Sequence, residues 1–394
     1  MAQEAINERM TPLPIESRPL ELCIGRTLRQ DVYAERDNPP FDRVCMDGVA
    51  INSSALSRGL RQFIMEATQP AGAPAQTLTR PENAIEVMTG AILPRGADCV
   101  IPFEEYDLEG NIVSLKADAA GSPYRNVQGR GSDSEPGVPM LTAGTCLGPA
   151  ELAVIASAGL AQAQVSRQPR VMVVSTGDEL IEPGQPVQEH QVRRSNAYAI
   201  LGALRKRGFE QLDQDHIGDD ETELRARLRQ HLNESDVLIL SGGVAQGKFD
   251  LVPKVLKSLA VAEVFHEVAQ RPGRPMWFGV APAGQAVFGL PGNPVATLMC
   301  LLRYVIPALI AAMGTKAMTP ERIALAAPVD FRRPGTYFLP ISIQYDDRGQ
   351  ALAVPRPTRG SGDFLALTRA DGFVELPPQA DGFARGFVAR LYRW

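Results

Sequence analysis

From Arg170 onward, short unbroken apolar runs alternate with helical patterns. Val171-Met172-Val173-Val174, Val237-Leu238-Ile239-Leu240 and Ala286-Val287-Phe288-Gly289-Leu290 contain no polar side chain. Ser195 to Gly208 reads as a helix, with Ser195 at the N-cap, Ile200, Leu201 and Leu204 as the buried stripe, and Gly208 as the stop. Asp219 to Leu232 repeats leucine every four residues, and Phe249 to Ala260 is also helical. Strands without polar alternation, separated by helices, predict a doubly wound parallel sheet covered on both faces.

The flanking segments read differently. Leu20, Leu22, Ile24 and Leu28 predict a helix and its connections within residues 1–37. Arg36 to Asp42 is a turn-rich break. Residues 41–130 hold short β-like runs at 49–51, 84–88, 99–102 and 111–115, separated by Gly, Pro and Asp, which predicts a small β domain. Ala150 to Ala161 is apolar at helical spacing. After Gly314 a Pro-rich linker leads to runs at 323–326, 337–341 and 372–376, expected to form a small β-barrel-like domain. The chain is thus an α/β multidomain protein.

Composition narrows the class. A hydrophobic fraction of 44% and a charged fraction of 22% are ordinary for globular chains. The net charge of −5 argues against a general nucleic-acid binder. Cys23, Cys45, Cys99, Cys146 and Cys300 are scattered, without a C-x-x-C pair, so neither a disulfide framework nor a zinc or iron–sulfur site is expected. Met1 to Met10 lacks the apolar stretch of a secretory signal. The apolar run Val295 to Met313 is interrupted by Arg303 and Pro307 and reads as a buried helix, not a membrane span. A soluble cytoplasmic protein is the expectation.

In an open parallel sheet, ligands sit beyond the carboxyl ends of the strands. Three strands here end in unusual turns. Ser175-Thr176-Gly177-Asp178-Glu179-Leu180 offers backbone N–H groups and hydroxyls to an anion, while its carboxylates imply a metal or polar heterocycle nearby. The bland alternative is a solvated turn with an Asp cap. Ser241-Gly242-Gly243 tolerates positive φ and exposes backbone to a ligand. Asp250, which opens the next helix, is equally a cap or a metal ligand or base. Gly289-Leu290-Pro291-Gly292-Asn293-Pro294 is stiff: Asn293 suits a cap, Pro294 the first helical turn, and the whole could wall a ring system. Between the last two turns, Arg271-Pro272-Gly273-Arg274-Pro275 holds two guanidinium forks on a stiff loop, able to meet one anion.

These turns, taken in order, resemble the molybdopterin molybdenumtransferase family, which includes bacterial MoeA and the E domain of gephyrin. Met46-Asp47-Gly48-Val49-Ala50 is similar to the family's Met-Asp-Gly-Tyr-Ala signature. Met88-Thr89-Gly90-Ala91 and Arg130-Gly131-Ser132-Asp133 look like two further family motifs. The resemblance implies a four-part subunit: residues 1–37 with 131–167 as a linker and dimerisation domain, 38–130 as the small β domain, 168–317 as the molybdopterin-binding domain, and 318–394 as the C-terminal β domain. It also implies a homodimer, in which the β domain of one subunit faces the α/β domain of the other. The implied reaction binds adenylylated molybdopterin and molybdate, releases AMP with a divalent cation (Mg²⁺), and places the metal on the dithiolene. Molybdopterin adenylyltransferase and apo-molybdoenzymes are the implied transient partners. The residues that match are Asp47, Asp133, Glu179, Asp219 (or Asp220) and Asp250 for metal and water handling, with Glu179 and Asp250 as metal ligands. Arg271 and Arg274 would hold phosphates. Thr89, Ser175, Thr176, Gly177, Ser241, Gly242, Gly243, Pro291, Asn293, Pro294 and Ser361 would line the pocket.

Five positions depart from the family pattern. Arg271 and Arg274 replace lysines, turning point charges into planar forks. Arg194 stands where Asp is usual, and Pro340 where Arg is frequent; the signature tyrosine is Val49. These departures leave room for a paralogue that binds molybdopterin without turnover. A nucleotide hydrolase on the same α/β domain, such as the competence-damage relatives, lacks the upstream Met-Asp-Gly and Met-Thr-Gly-Ala motifs.

Overall fold

The computed structural model describes residues 1–244, 251–360, 362–378 and 382–394. Asp250 and Ser361 lie outside the described residues. At the centre is a six-stranded sheet ordered Leu212–Ile217, Val171–Thr176, Val237–Ser241, Ala286–Leu290, Trp277–Val280, Ala262–His266. The first four strands are parallel, Trp277–Val280 is antiparallel to both of its neighbours, and Ala262–His266 at the edge again runs with the first four. The expected parallel core is therefore present, with an antiparallel pair added at one edge.

The unbroken apolar runs follow from two-sided burial. Val171, Val173, Val237, Ile239 and Phe288 pack on one face with Ile200, Leu201, Leu204 and Met299. Their neighbours in sequence, Met172, Val174, Leu238, Leu240 and Val287, pack on the other with Leu224, Leu228, Val255 and Leu256. Strand periodicity sends successive side chains to opposite faces, so both faces demand apolar residues. The Pro294–Ala312 helix is long and apolar enough to cross a membrane, yet Leu301, Val305 and Leu309 are fully buried in this core.

The chain passes from Val171–Thr176 to one neighbour, Leu212–Ile217, then crosses to the other, Val237–Ser241. This reversal is a topological switch point, and it opens a crevice between the carboxyl ends of the two strands Val171–Thr176 and Val237–Ser241.

Upstream, strands Gly48–Ile51, Gln62–Gln69, Asn83–Val87, Cys99–Pro102, Tyr106–Glu109 and Ile112–Leu115 form a mixed sheet, and Pro149–Ser157 is helical. The helix expected around Leu20 to Leu28 is not there. Ile15–Pro19 is a strand paired with Gln162–Ser166, followed by a single 3₁₀ turn at Leu20–Leu22. Pro14 and Pro19 bias their preceding residues to extended backbone, and Leu22 and Ile24 are both 55% exposed, so Leu20, Leu22, Ile24 and Leu28 never formed a helical stripe. Downstream, Arg322–Leu325, Thr336–Tyr345, Ala351–Pro355, Gly372–Leu376 and Val388–Arg393 close into a five-stranded barrel through the Tyr337↔Leu376 to Ile341↔Gly372 ladder. Gln270–Arg271 adds to the barrel beside Thr336 and Tyr337.

Candidate functional site

The switch-point crevice is a cleft of about 470 Å³, lined by Thr176, Gly177, Glu179, Asp219, Gly242, Gly243, Val244, Pro275 and Pro291 to Asn293. A second chamber of about 260 Å³ adjoins it, sharing Glu179 and Gly292, and is lined by Ser175, Arg194, Asn196, Ser241 and Pro294 among others. The three turns singled out in the sequence thus converge.

The two glycines are required by close approach. Gly242 has φ of +101°, and a Cβ there would lie 2.7 Å from the Thr176 carbonyl oxygen. At Gly243, φ is +63° and a Cβ would meet Thr176 Oγ1 at 2.9 Å. Only glycine lets these strand ends sit side by side.

Two acidic side chains face the cleft. Of Asp219 and Asp220, it is Asp220 that caps the Glu221–Glu234 helix, its Oδ1 accepting from Glu223 N at 2.7 Å. Asp219 lines the cleft instead, and its backbone N–H donates to Asp178 Oδ1 at 3.0 Å. That bond ties the turn after Thr176 to the turn after Ile217. His216 Nε2 lies 2.9 Å from the Gly177 carbonyl and braces the same turn. Among the described residues, no group of three or more His, Cys, Asp and Glu is arranged to hold a metal ion. The expected ligand pair of Glu179 and Asp250 falls partly outside the described residues.

The stiff third turn is pinned from behind, where Thr297 Oγ1 donates to the Pro291 carbonyl at 2.5 Å. Pro294 occupies the first helical position, as expected. Asn293 holds the N-cap position but makes no side-chain cap bond, which leaves its amide in the cleft. Ser195 likewise stands at an N-cap without a side-chain cap bond.

The basic loop lies in a neighbouring cleft, not in the main one. Arg271 and Arg274 line it with Glu267, Pro334 and Gly335. Arg274 is already engaged, with Nε and Nη2 donating to Glu267 Oε2 at 3.1 and 2.9 Å. Pro275, the end of the loop, reaches the main cleft.

Asp47 and Thr89 form a unit far along the chain. Thr89 donates to Asp47 Oδ1 through its backbone N at 2.6 Å and its hydroxyl at 2.7 Å. These bonds hold the Asp47 carboxyl below the usual carboxylate range, the hydroxyl contributing most. Asp133 is exposed and accepts from Gln128 Nε2 at 2.7 Å. None of the three lines the cleft of this subunit.

Asn196, to which sequence reasoning gave no role, and Arg194, which it named only as a departure, matter here. Asn196 Nδ2 donates to Ser241 Oγ at 2.9 Å and to the Gly292 carbonyl at 2.8 Å, so one amide joins the second and third turns. Arg194, 6% exposed, bonds Glu182 at 2.5 Å and the Asp215 carbonyl at 3.2 Å, with its guanidinium 5.9 Å from the Tyr198 ring centroid. Tyr198 first, and then Arg194, hold the Glu182 carboxyl below its ordinary range. The Arg194 departure is thus absorbed within the protein by a local acid. The Ser-Asn pair after a short strand was the available signal for Asn196.

A switch-point cleft with paired acids and open glycine backbones defines a doubly wound α/β protein with a small-molecule crevice at its strand ends. Family models match over nearly the whole chain: the MoeA N-terminal region (domain I and II) at residues 1–159, the probable molybdopterin binding domain at 172–311, and the MoeA C-terminal region (domain IV) at 322–394. The molybdopterin molybdenumtransferase of Synechocystis sp. is 38% identical over 371 residues, covering 94% of this chain and 93% of that one. That of Staphylococcus aureus (strain MRSA252) is 30% identical over 400 residues, covering 99% and 93%. Two crystal structures of the molybdopterin biosynthesis MoeA protein from Pyrococcus horikoshii match with TM-scores of 0.81 and 0.83, at 30% and 26% identity. They cover 100% of this chain and 97% and 98% of theirs. The chain belongs to the molybdopterin molybdenumtransferase family, the transferases of molybdenum cofactor biosynthesis.

Proposed function

We propose that this protein binds adenylylated molybdopterin and molybdate, releases AMP, and leaves molybdenum on the dithiolene. The observation that carries the reading is the cleft itself, where Gly242 and Gly243 open the backbone beside Glu179 and Asp219. Breaking a phosphoanhydride requires charge neutralisation on the phosphates and an oriented water. Open glycine backbones let phosphate oxygens approach N–H donors, and Asp219 and Glu179 orient water at the cleft mouth. Arg271 and Arg274 supply cationic forks from the adjoining cleft.

Two cleft carboxylates suit Mg²⁺, which is commonly held by one or two carboxylates together with substrate phosphates. Glu179 and Asp219 would hold it, and when bound it supplies positive charge against the phosphate oxygens. The active form is a homodimer, in which the exposed Asp47–Thr89 unit of one subunit completes the cleft of the other. Support comes from the cleft's lining, drawn wholly from the segment 175–294, and from a carboxylate kept ionised and preorganised by Thr89. Asp133 acts with it. The product passes to apo-molybdoenzymes, and the substrate comes from molybdopterin adenylyltransferase.

The test is to incubate the protein with adenylylated molybdopterin, molybdate and Mg²⁺. AMP release and cofactor able to reconstitute an apo-molybdoenzyme are expected. Absence of both AMP and active cofactor overturns the proposal. The relatives' transferase names disfavour a carrier without turnover, which this assay also excludes.

A further inference from the structure

The loop that carries Arg271 and Arg274 is exposed at both arginines, yet it closes over a buried polar side chain. Gln270 is only 2% exposed. Its Nε2 donates to the Gly273 carbonyl at 2.9 Å and to Cys300 Sγ at 3.3 Å. Its Oε1 accepts from the Tyr304 hydroxyl. The Gly273 carbonyl can only accept, so the amide orientation is fixed and both of its ends are used. Gly273 has φ of +92°, and a Cβ there would lie 2.6 Å from Cys300 Sγ and 3.0 Å from Gln270 Nε2. The tip of the loop therefore rests directly on these two side chains.

The partners of Gln270 stand on the helix Pro294–Ala312. Cys300 is fully buried and Tyr304 is 4% exposed. Tyr304 belongs to Leu301–Val305, a π-helical turn set within that helix. Such turns are uncommon and frequently lie at functional positions. This one is locked from its other side. Arg303 Nε and Nη2 donate to the two Glu375 carboxylate oxygens at 2.9 and 3.2 Å, and the Tyr392 hydroxyl donates to Glu375 Oε2 at 2.7 Å. Glu375 and Tyr392 belong to the barrel, whose Thr336 and Tyr337 also pair with Gln270–Arg271. The same helix begins at Pro294, beside the main cleft. One helix thus fixes both the cleft wall and, through Gln270, the basic loop.

We propose that Gln270 is a positioning residue, which through Gly273 and Tyr304 holds Arg271 and Arg274 at the reach that substrate phosphates require. The assignment rests on the function proposed above and acts through the loop, since the Gln270 amide is fully engaged inside the protein. A loop without this support would have to be ordered at each binding event, and that ordering lowers affinity. The buried amide orders it beforehand. The arginine charges are untouched by its loss, so the effect falls on binding and not on the chemical step.

Inorganic pyrophosphate, titrated into the intact protein by calorimetry, reads the arginine loop without turnover. Gln270→Leu keeps the size of the side chain and removes its bonds, so affinity should fall by roughly tenfold. Tyr304→Phe removes one hydroxyl and should lower affinity severalfold; it carries the test if Gln270→Leu does not fold. In an Arg271→Ala, Arg274→Ala background neither change should cause a further loss, because nothing is left to place. Cys300 should become open to alkylation in the folded variants as the loop tip lifts. With adenylylated molybdopterin, KM should rise by the same factor at unchanged kcat. Affinity unchanged in both variants, a loss that adds in full to that of the arginine pair, Cys300 still protected in both, or no pyrophosphate binding by the unmodified protein overturns the assignment. Pyrophosphate binding that responds to both variants without any AMP release would keep the assignment and sink the transferase reading. Normal turnover with KM indifferent to both variants would do the reverse.

Discussion

Asp236 gives a prediction whose size can be worked from its contacts. It precedes the Val237–Ser241 strand, at the end of the sheet opposite the cleft. Its Oδ2 accepts from Arg167 Nη1 and from Arg170 N, each at 2.8 Å, and its Oδ1 from Arg170 Nη2 at 3.2 Å. Burial disfavours the ionised form, but the bonds from Arg167 and Arg170 outweigh it and hold the carboxyl down at about 2 from 3.8. At 1.36 kcal/mol per pH unit, that drop corresponds to about 2.4 kcal/mol, and solvent screening of a side chain 20% exposed reduces it to about 1.5 kcal/mol. A depressed acid stabilises the fold above its unfolded pKa and loses that contribution as pH falls through the folded value. Asp236→Asn should therefore be less stable by about 1.5 kcal/mol between pH 5 and 8, and the gap should shrink to about half by pH 3. Urea unfolding followed by tryptophan fluorescence reads this directly, since Trp277 is buried in the central domain. The KM for substrate should not move. A gap absent at pH 7, or undiminished at pH 3, would refute the reasoning.

Asp220→Ala should cost about 1 kcal/mol of stability through the lost cap, with turnover kept, whereas Asp219→Ala should keep stability and lose turnover; unfolding curves and AMP release separate the two. Gly242→Ala forces a side chain into positive φ at about 1–2 kcal/mol and drives a methyl against the Thr176 carbonyl, so substrate affinity should fall at least tenfold, measured by equilibrium titration. Burial pushes the Cys300 thiol up to about 12, slightly relieved by Gln270, so alkylation of the native protein at pH 8 should label exposed Cys45 and Cys146 and spare Cys300 until unfolding, as peptide mass mapping would show. Glu267→Gln removes the competitor for Arg274, and because a pair exposed at 68% and 33% is worth under about 1 kcal/mol, KM should fall up to about fivefold at unchanged kcat. A KM that rises instead would remove Arg274 from phosphate binding.

The parallel core was legible because two-sided burial leaves an unmistakable trace in Val171 to Val174 and Val237 to Leu240. The Leu212–Ile217 strand was not, because Leu-Asp-Gln-Asp-His-Ile lies at the sheet edge, where Asp213 is exposed and Asp215 is paired with Arg227 and His231. Ala262–His266 and Trp277–Val280 were missed too. Ala262–His266 is the other edge strand and half exposed, while Trp277–Val280 is buried on both faces but only four residues long. The cleft's two glycines, Glu179 and Asp219 were picked out from residue type, since positive φ and charge are properties of single residues, whereas Asp47 and Asp133 lie away from this subunit's cleft. Which of Asp219 and Asp220 served the cap was not, because a one-residue shift of the helix start decides it. Nor could residue type reveal that Asn196 bridges two turns or that Gln270 lies inside the basic loop. Those are facts of three-dimensional surroundings.

The distribution of charge constrains how a phosphorylated ligand can lie. Glu179 and Asp219 face the main cleft, while Arg271 and Arg274 face the adjoining one, with Pro275 between them. At an effective dielectric of about 20, a phosphate charge about 4 Å from one carboxylate is opposed by about 4 kcal/mol. A ligand lying wholly in the main cleft would meet that repulsion twice. Two arrangements relieve it: a divalent cation between acids and phosphate, or phosphates drawn toward the arginines so that only the scissile bridge approaches the acids. Both work together, because a ligand reaching from the main cleft to the arginines has to pass the acids on the way. The Arg-for-Lys departures suit this geometry, since a planar fork can leave Glu267 for two phosphate oxygens while keeping both of its hydrogen bonds.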